Sequence, residues 1–253
     1  MKILVLSDIH ANINAFDAVL AAEQGKYAAC IFLGDITGYG PDPEPCIRRL
    51  RELEESDMPT YFLTGNHDAA LLGKIPLEWF NDFARRSVMK MKASISSELL
   101  EWLAGHPALI NVTPDVCAAH GSPRMPLTEY LFGGEETAVV LADMAQNGIR
   151  ICFVGHTHEA AIFTGDFPVH VEYPQPEQSL VPKQFPIIIN PGSVGFPRSF
   201  HAAYTETEST TDSPISMTSY PAYYVLWDTD DDRISFKTTR YDRYPVEKKL
   251  GNI

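Results

Sequence analysis

Along the first half of the chain, short runs of branched apolar residues alternate with longer stretches whose apolar positions recur every three to four residues. Lys2-Ile3-Leu4-Val5-Leu6 is the first run, apolar at consecutive positions, as expected of a strand buried on both faces. Ala15, Phe16, Val19 and Leu20 then share one helical face behind Asn12, a candidate cap, and Gly25 closes the helix. Residues 28–33 read as a second strand. A helix begins near Pro43, with Cys46, Ile47, Leu50 and Leu53 on one face, and residues 60–63 form a third strand. This alternation predicts parallel strands joined by right-handed crossovers.

The pattern then turns helical from 69 to about 103, with Val88, Met91, Ile95, Leu99 and Trp102 as a packing stripe. This segment, about 70–103, is a candidate cap over whatever the preceding loop carries, with Phe80, Arg85 and Arg86 as the residues that could reach inward. Strands are predicted at 108–112 and 116–119, a helix at 135–147 ending at Gly148, and a strand at 151–154. A hairpin follows at 161–163 and 169–173, then a strand at 186–189 and an antiparallel pair at 223–227 and 234–238 around the acidic turn 228–232. Residues 199–220 are rich in Thr, Ser, Glu and Pro and read as a surface insertion. No cut separates the polar motifs described next, so the chain is expected to be a single domain over 1–253.

With 253 residues, 45% of them apolar, the chain can bury a large core. A net charge of −13 argues against bulk electrostatic binding of nucleic acid or an anionic membrane. A phosphorylated small molecule still fits if cations are concentrated at one place. Cys30, Cys46, Cys117 and Cys152 lack a C-x-x-C spacing and are expected to be reduced and mostly buried in a cytoplasmic protein. No apolar stretch approaches the ~20 residues of a membrane helix.

The informative feature is where the polar residues fall. The predicted strand ends carry Asp8/His10, Asp35, Asn66/His67/Asp68, His120, His156/His158 and Asn190/Ser193. Five of the chain's eight histidines are among them. In α/β sheets ligands bind beyond the carboxyl ends of the strands, and clustered His and Asp there point to a metal or catalytic site. An extended backbone would aim Asp8 and His10 the same way, and oxygen beside imidazole nitrogen suits a divalent metal.

These blocks, Asp8-Ile-His10, Gly34-Asp35, Gly65-Asn66-His67-Asp68, His120-Gly121 and Gly155-His156-Thr-His158, resemble those of the calcineurin-like metallophosphoesterase superfamily. All five are present in order. The flanking segments Gly38-Tyr-Gly-Pro-Asp-Pro and Asn190-Pro-Gly-Ser-Val-Gly look like a compact bacterial and archaeal phosphodiesterase-type branch. The resemblance implies an α/β fold, a four-layer α-β-β-α sandwich of two mixed sheets flanked by helices. It implies two divalent ions (Mn, Fe, Co, Ni or Zn, with Mg disfavoured), the first held by Asp8, His10, Asp35 and His158, the second by Asp35, Asn66, His120 and His156. A hydroxide bridging the ions would attack phosphorus in line. His67, oriented by Asp68, would stabilise the transition state or protonate the leaving oxygen.

Around this set, Arg124 and Arg198 are candidates to clamp a phosphate, Asn190 and Ser193 to line the cleft, and Tyr39 to stack on a base. Hydrolysis of a small phosphodiester or phosphomonoester is the leading expectation. Alternatives are a dinucleoside polyphosphate hydrolase, a protein phosphatase and, in a different class, a non-catalytic metal-binding scaffold. A metal-dependent nuclease is disfavoured by the acidic balance. The expected partner is a small phosphorylated substrate, with nucleotides among the candidates, and homo-oligomerisation is left open.

Overall fold

In chain order, the computed structural model contains β1 (Lys2–Leu6), α1 (Ile13–Glu23), β2 (Ala29–Phe32), α2 (Pro43–Glu54), β3 (Thr60–Phe62), α3 (Asn66–Leu71), α4 (Asp82–Lys92) and α5 (Ser97–Ala104). There follow β4 (Leu109–Thr113), β5 (Val116–Ala119), α6 (Glu135–Gln146), β6 (Ile151–Phe153), β7 (Ala160–Thr164), β8 (His170–Glu172), β9 (Ser179–Leu180) and β10 (Ile187–Pro191). The last elements are β11 (Ser219–Asp228), β12 (Arg233–Asp242) and α7 (Tyr244–Leu250). The structure describes residues 1–198 and 219–251. The 199–220 insertion therefore lies almost wholly outside the described residues.

Two mixed sheets of six strands result, ordered β3-β2-β1-β11-β12-β9 and β4-β5-β6-β10-β7-β8. In the first, β1 lies parallel to β2 and antiparallel to β11, and β2 is parallel to β3. In the second, β6 lies parallel to both β5 and β10. The alternation within β1 explains the stacking. Ile3 and Val5 join Val116, Ala118, Ile151, Phe153, Ile187 and Ile189 in a core between the sheets. Leu4 and Leu6 face the other way, onto Phe16 and Val19 of α1 and onto Ile47 and Leu50 of α2. On the far side, Val140, Leu141 and Met144 of α6 pack against Cys117, Cys152 and Ile188. Burial on both faces is why β2, β5 and β6 are apolar throughout and β1 from Ile3 onward, and the layers are the expected α-β-β-α sandwich.

The predicted helical stretch at 70–103 is broken into α3, a single turn at Leu77–Trp79, α4 and α5. Asn81 and Ser96 cap α4 and α5 by accepting from the amides of Ala84 and Leu99. The final antiparallel pair is longer than its apolar core predicts. Ser219–Asp228 and Arg233–Asp242 remain paired over all ten positions, because the ladder needs backbone partners and not apolar side chains. The short β9 and α7 carry too little periodicity to be anticipated. All four cysteines are free and buried. Among the described residues, no helix is long and apolar enough to cross a membrane.

Candidate metal centre

The carboxyl ends of parallel strands from both sheets open onto one edge, and the loops leaving β1, β2, β3, β5 and β6 meet there. Asp8 and His10 do not extend the strand as their i, i+2 spacing suggests. Both adopt left-handed backbone, φ 53° and 48°, and so do Asp35, His156 and His158. Such conformations are costly for residues with a Cβ and persist where surrounding contacts impose them. Here the contacts are close. A Cβ on Gly65 would fall 2.1 Å from Asp35 Oδ1, and one on Gly155 would fall 1.9 Å from Ser7 Oγ. Those two glycines let neighbouring loops lie directly against the metal-type ligands.

The donor atoms form two lobes. In one, His10 Nε2 lies 2.9 Å from His158 Nε2, and Asp8 Oδ1 lies 3.6 and 3.3 Å from these two nitrogens. Asp35 Oδ2 stands 3.8 Å from His10 Nε2. The same oxygen lies 3.5 Å from His120 Nε2, which opens the second lobe. There, His120 Nε2 is 3.0 Å from Asn66 Oδ1 and 3.1 Å from His156 Nδ1. Each set of Asp and His donors is compact enough to hold a metal ion, and Asp35 belongs to both.

The surroundings fix which atoms face inward. His10, His120 and His158 each place Nδ1 2.7–2.9 Å from a backbone carbonyl, of Thr37, Leu33 and Phe196 respectively. A carbonyl only accepts, so these Nδ1 atoms carry the proton and Nε2 presents a bare lone pair. The carboxylates are divided likewise. Asp8 Oδ2 accepts from Ser7 Oγ at 2.5 Å and from the His156 amide at 3.1 Å, and Asp35 Oδ1 accepts from the His67 amide at 2.8 Å. Their other oxygens, Asp8 Oδ1 and Asp35 Oδ2, are buried without a hydrogen-bond partner among the described residues, as is His156 Nε2. Two lone pairs 2.9 Å apart with no hydrogen between them, beside orphaned carboxylate oxygens, repel unless a cation lies among them. The donor set therefore fits divalent metal.

Electrostatics agree. Burial pushes the imidazole of His10 down to about 3 and those of His156 and His158 well below their usual range. Burial, then the charges of Asp68 and Asp8, raises the carboxyl of Asp35 well above the ordinary carboxylate range. The bare protein thus holds neutral imidazoles and resists the Asp35 charge, whereas a divalent ion favours both ligand forms.

His67 sits beside the lobes. Its ring packs edge-on against His10 at 5.0 Å between centroids and against Phe80 at 4.9 Å, and its Nδ1 is buried without a hydrogen-bond partner among the described residues. Asp68 does not orient that ring, contrary to expectation. Its carboxylate accepts from the Thr37 amide and hydroxyl at 2.9 and 2.8 Å, and from the Gly65 and Ile36 amides at 3.1 and 3.3 Å. Four donors saturate it, and it ties the Asp35 loop to the start of α3. Asn190 and Ser193 are also directed into loops and not the cleft. Asn190 Nδ2 donates to the Gly155 carbonyl and Thr157 Oγ1, and its oxygen accepts from Gly192. Ser193 Oγ donates to the Asp8 carbonyl.

Arg124 is engaged by Glu129 and Asp143, at 4.0 and 3.6 Å. Arg198 is closer to the centre: it is exposed, and its guanidinium donates to Tyr39 Oη at 3.3 Å. Tyr39 is packed between His10, His67, Phe83 and Phe196, so its faces are taken by protein rings and not free for a base. Residues the sequence pattern did not single out complete the wall. Tyr130 stacks on His156 at 3.7 Å between centroids, and Phe132 lies parallel to it at 5.9 Å. No periodicity marks these loop aromatics. Beside the lobes a cleft of about 190 Å³ is lined by Tyr39, Asn66, His67, Phe80, Thr128, Tyr130 and His156, among others.

A four-layer α/β sandwich whose strand ends gather carboxylate, imidazole and amide donors into adjoining lobes has the architecture of the metallophosphoesterases. The comparisons agree: the model of the calcineurin-like phosphoesterase family matches residues 1–160, and the chain belongs to that family, whose members use divalent metals. An uncharacterized protein of Methanocaldococcus jannaschii is 33% identical over 203 residues, which is 78% of this chain and 77% of that protein. The crystal structure of a metallophosphoesterase from Sphaerobacter thermophilus is similar with a TM-score of 0.77 at 29% identity, over 100% of this chain and 93% of that one. A UDP-2,3-diacylglucosamine hydrolase of Edwardsiella ictaluri is 31% identical over 131 residues, 47% of this chain and 46% of that protein.

Proposed function

We propose that the protein hydrolyses a small phosphodiester, with phosphomonoester cleavage as the alternative. Asp8, His10, Asp35 and His158 would hold one divalent ion, and Asp35, Asn66, His120 and His156 a second. The observation that carries this reading is the pair of bare Nε2 atoms of His10 and His158, 2.9 Å apart with both Nδ1 protons committed elsewhere. Imidazole, carboxylate and amide donors without thiolate favour Mn, Fe, Co, Ni or Zn. When bound, such ions supply charge neutralisation and acidify water for attack on phosphorus.

The chain's own residues supply the rest. Burial, with His10 and His120 nearby, holds the His67 imidazole well below its usual range, so it is neutral and carries one N–H. From beside both lobes, that N–H donates to a phosphate oxygen or to the departing oxygen. Arg198, exposed at the mouth, grips a non-reacting phosphate oxygen. Tyr130 and Phe80 shed water from the cleft and give the organic part of the substrate an apolar wall.

Among the described residues lining the cleft there is no lysine or arginine. That favours an ester with a neutral body over a polyphosphate chain, whose added charges need cations. The complete donor set and the retained His67 argue against the scaffold alternative. The test is hydrolysis of bis-p-nitrophenyl phosphate, p-nitrophenyl phosphate and diadenosine tetraphosphate by purified protein with and without added Mn²⁺. Metal-dependent cleavage of the diester, exceeding that of the tetraphosphate, is expected. Absence of turnover on all three with Mn, Fe, Co, Ni and Zn would overturn the proposal.

A further inference from the structure

A second cavity, of about 620 Å³, lies behind the roof of the metal centre, between the loop that carries Tyr39, helix α4 and the end of α7. Its apolar wall is made by Tyr39, Phe83 and Met91, and its charged rim by Arg86, Lys90 and Lys249. Lys249 is paired with Asp42 at 2.5 Å. Arg86 and Lys90 are exposed and make no ion pair among the described residues, whereas the neighbouring Arg85 is held by Asp82. A chain of net charge −13 repels anions in bulk, so two uncommitted cations over one apolar cavity define the sort of ligand that could enter.

The cavity and the metal centre share a wall. Tyr39 contributes to both, and its ring touches those of His10 and His67 on one side and Phe83 on the other. Its loop is tied to both sides as well. The Thr37 carbonyl accepts from His10 Nδ1 at 2.9 Å, and the Gly38 amide lies 3.2 Å from Met91 Sδ, an atom of the cavity wall residue. Tyr39 itself has φ 55°, so the loop sits in a conformation that its contacts must sustain.

We propose that this cavity is a second ligand site, taking a small amphipathic anion: a planar apolar body bearing one phosphate, sulfonate or carboxylate. The apolar body packs against Phe83 and Met91, and the anionic group meets Arg86 and Lys90. Occupancy braces the 37–40 loop and, through Thr37 and Tyr39, the positions of His10 and His67. This effect on turnover rests on the phosphoesterase reading above, whereas binding does not. By linkage, a ligand that favours one loop position must be favoured in turn by whatever occupies the metal centre in that position.

The probe is 8-anilinonaphthalene-1-sulfonate, an aryl sulfonate that fluoresces when seated in an apolar site. It is titrated into the folded full chain, with near-UV circular dichroism confirming intact packing. Saturable one-to-one binding is expected, weakened about tenfold in the Arg86→Ala/Lys90→Ala double variant, whose exposed positions spare the fold, and not displaced by orthovanadate at the metal centre, which by linkage shifts the dye's affinity without abolishing its binding. Failure to bind, equal affinity in the double variant, or one-for-one displacement by vanadate would each overturn the site. Coupling is read on bis-p-nitrophenyl phosphate: the dye should change kcat or KM at least twofold in the parent chain and leave the double variant unmoved. Equal effects on both would refute the link through Tyr39 while leaving the hydrolase reading intact.

Discussion

Stripping divalent metal from the protein should destabilise it, and the structure sets the scale. An ion at about 100 times its dissociation constant stabilises by about 2.7 kcal/mol, so the two ions proposed above would contribute about 5 kcal/mol. For a chain of this size about 1 kcal/mol corresponds to about 2–4 °C, which predicts a fall of about 10–20 °C in Tm on exhaustive chelation. Acid should deepen the loss in the metal-free form. Burial lowers the folded His10 to about 3 from 6.5, so below 6.5 the unfolded chain binds a proton that the folded chain refuses. The corresponding stability is present above 6.5 and is lost as pH falls toward about 3, amounting to about 2 kcal/mol by about pH 5. His67, His156 and His158 are lowered in the same direction. Asp35 is raised, so its contribution has the opposite sign: present at low pH and lost as pH climbs through its folded value. The metal-free protein is thus penalised from both sides. The assay is scanning calorimetry of the chelated and Mn²⁺-restored protein between about pH 5 and pH 8, with metal content measured on the same samples. A Tm indifferent to chelation and to restored metal would refute the assignment of the lone pairs of His10 and His158 to a cation.

His67→Ala should lower kcat by about 10²- to 10⁴-fold, the usual contribution of a positioned proton donor, with metal content unchanged. Loss of metal in that variant would make His67 a ligand and not a donor beside the lobes. Asn190→Ala removes bonds to the Gly155 carbonyl, Thr157 Oγ1 and the Gly192 amide without touching the cleft. It should cost about 1–3 kcal/mol in stability and also weaken metal affinity, because the loop it holds carries His156 and His158. Calorimetry together with a metal titration checks this, and unchanged metal affinity would show that the loop is held by other contacts.

Much of this molecule is legible from local pattern. A strand buried on both faces must be apolar at successive positions, which made β1, β2, β5 and β6 readable. Polar residues placed directly after such strands have no core role, so Asp8, Asp35, Asn66, His120, His156 and His158 stand out in the sequence itself. Their convergence follows from parallel pairing, which sends those strand ends to one edge. What local pattern could not supply was the role of each polar atom. Asp68 and Asn190 have the residue types of a catalytic acid and a cleft amide, yet nearby backbone donors and acceptors claim them. Arg124 and Arg198 follow proline in similar loops, and only the arrangement of neighbours separates them, Asp143 of α6 holding one and Tyr39 the other. The left-handed turns at Asp8 and His10 replace the extended geometry that their spacing suggests, and neighbouring loops pack directly against them at Gly155 and Gly40. The stacking of Tyr130 on His156 joins residues far apart in the chain and has no periodic trace at all. Residue type and order along the chain settle which atoms can ligate and which strands are buried. Which lone pairs remain unclaimed is decided by contacts across distant segments, and it is those unclaimed lone pairs that make the site.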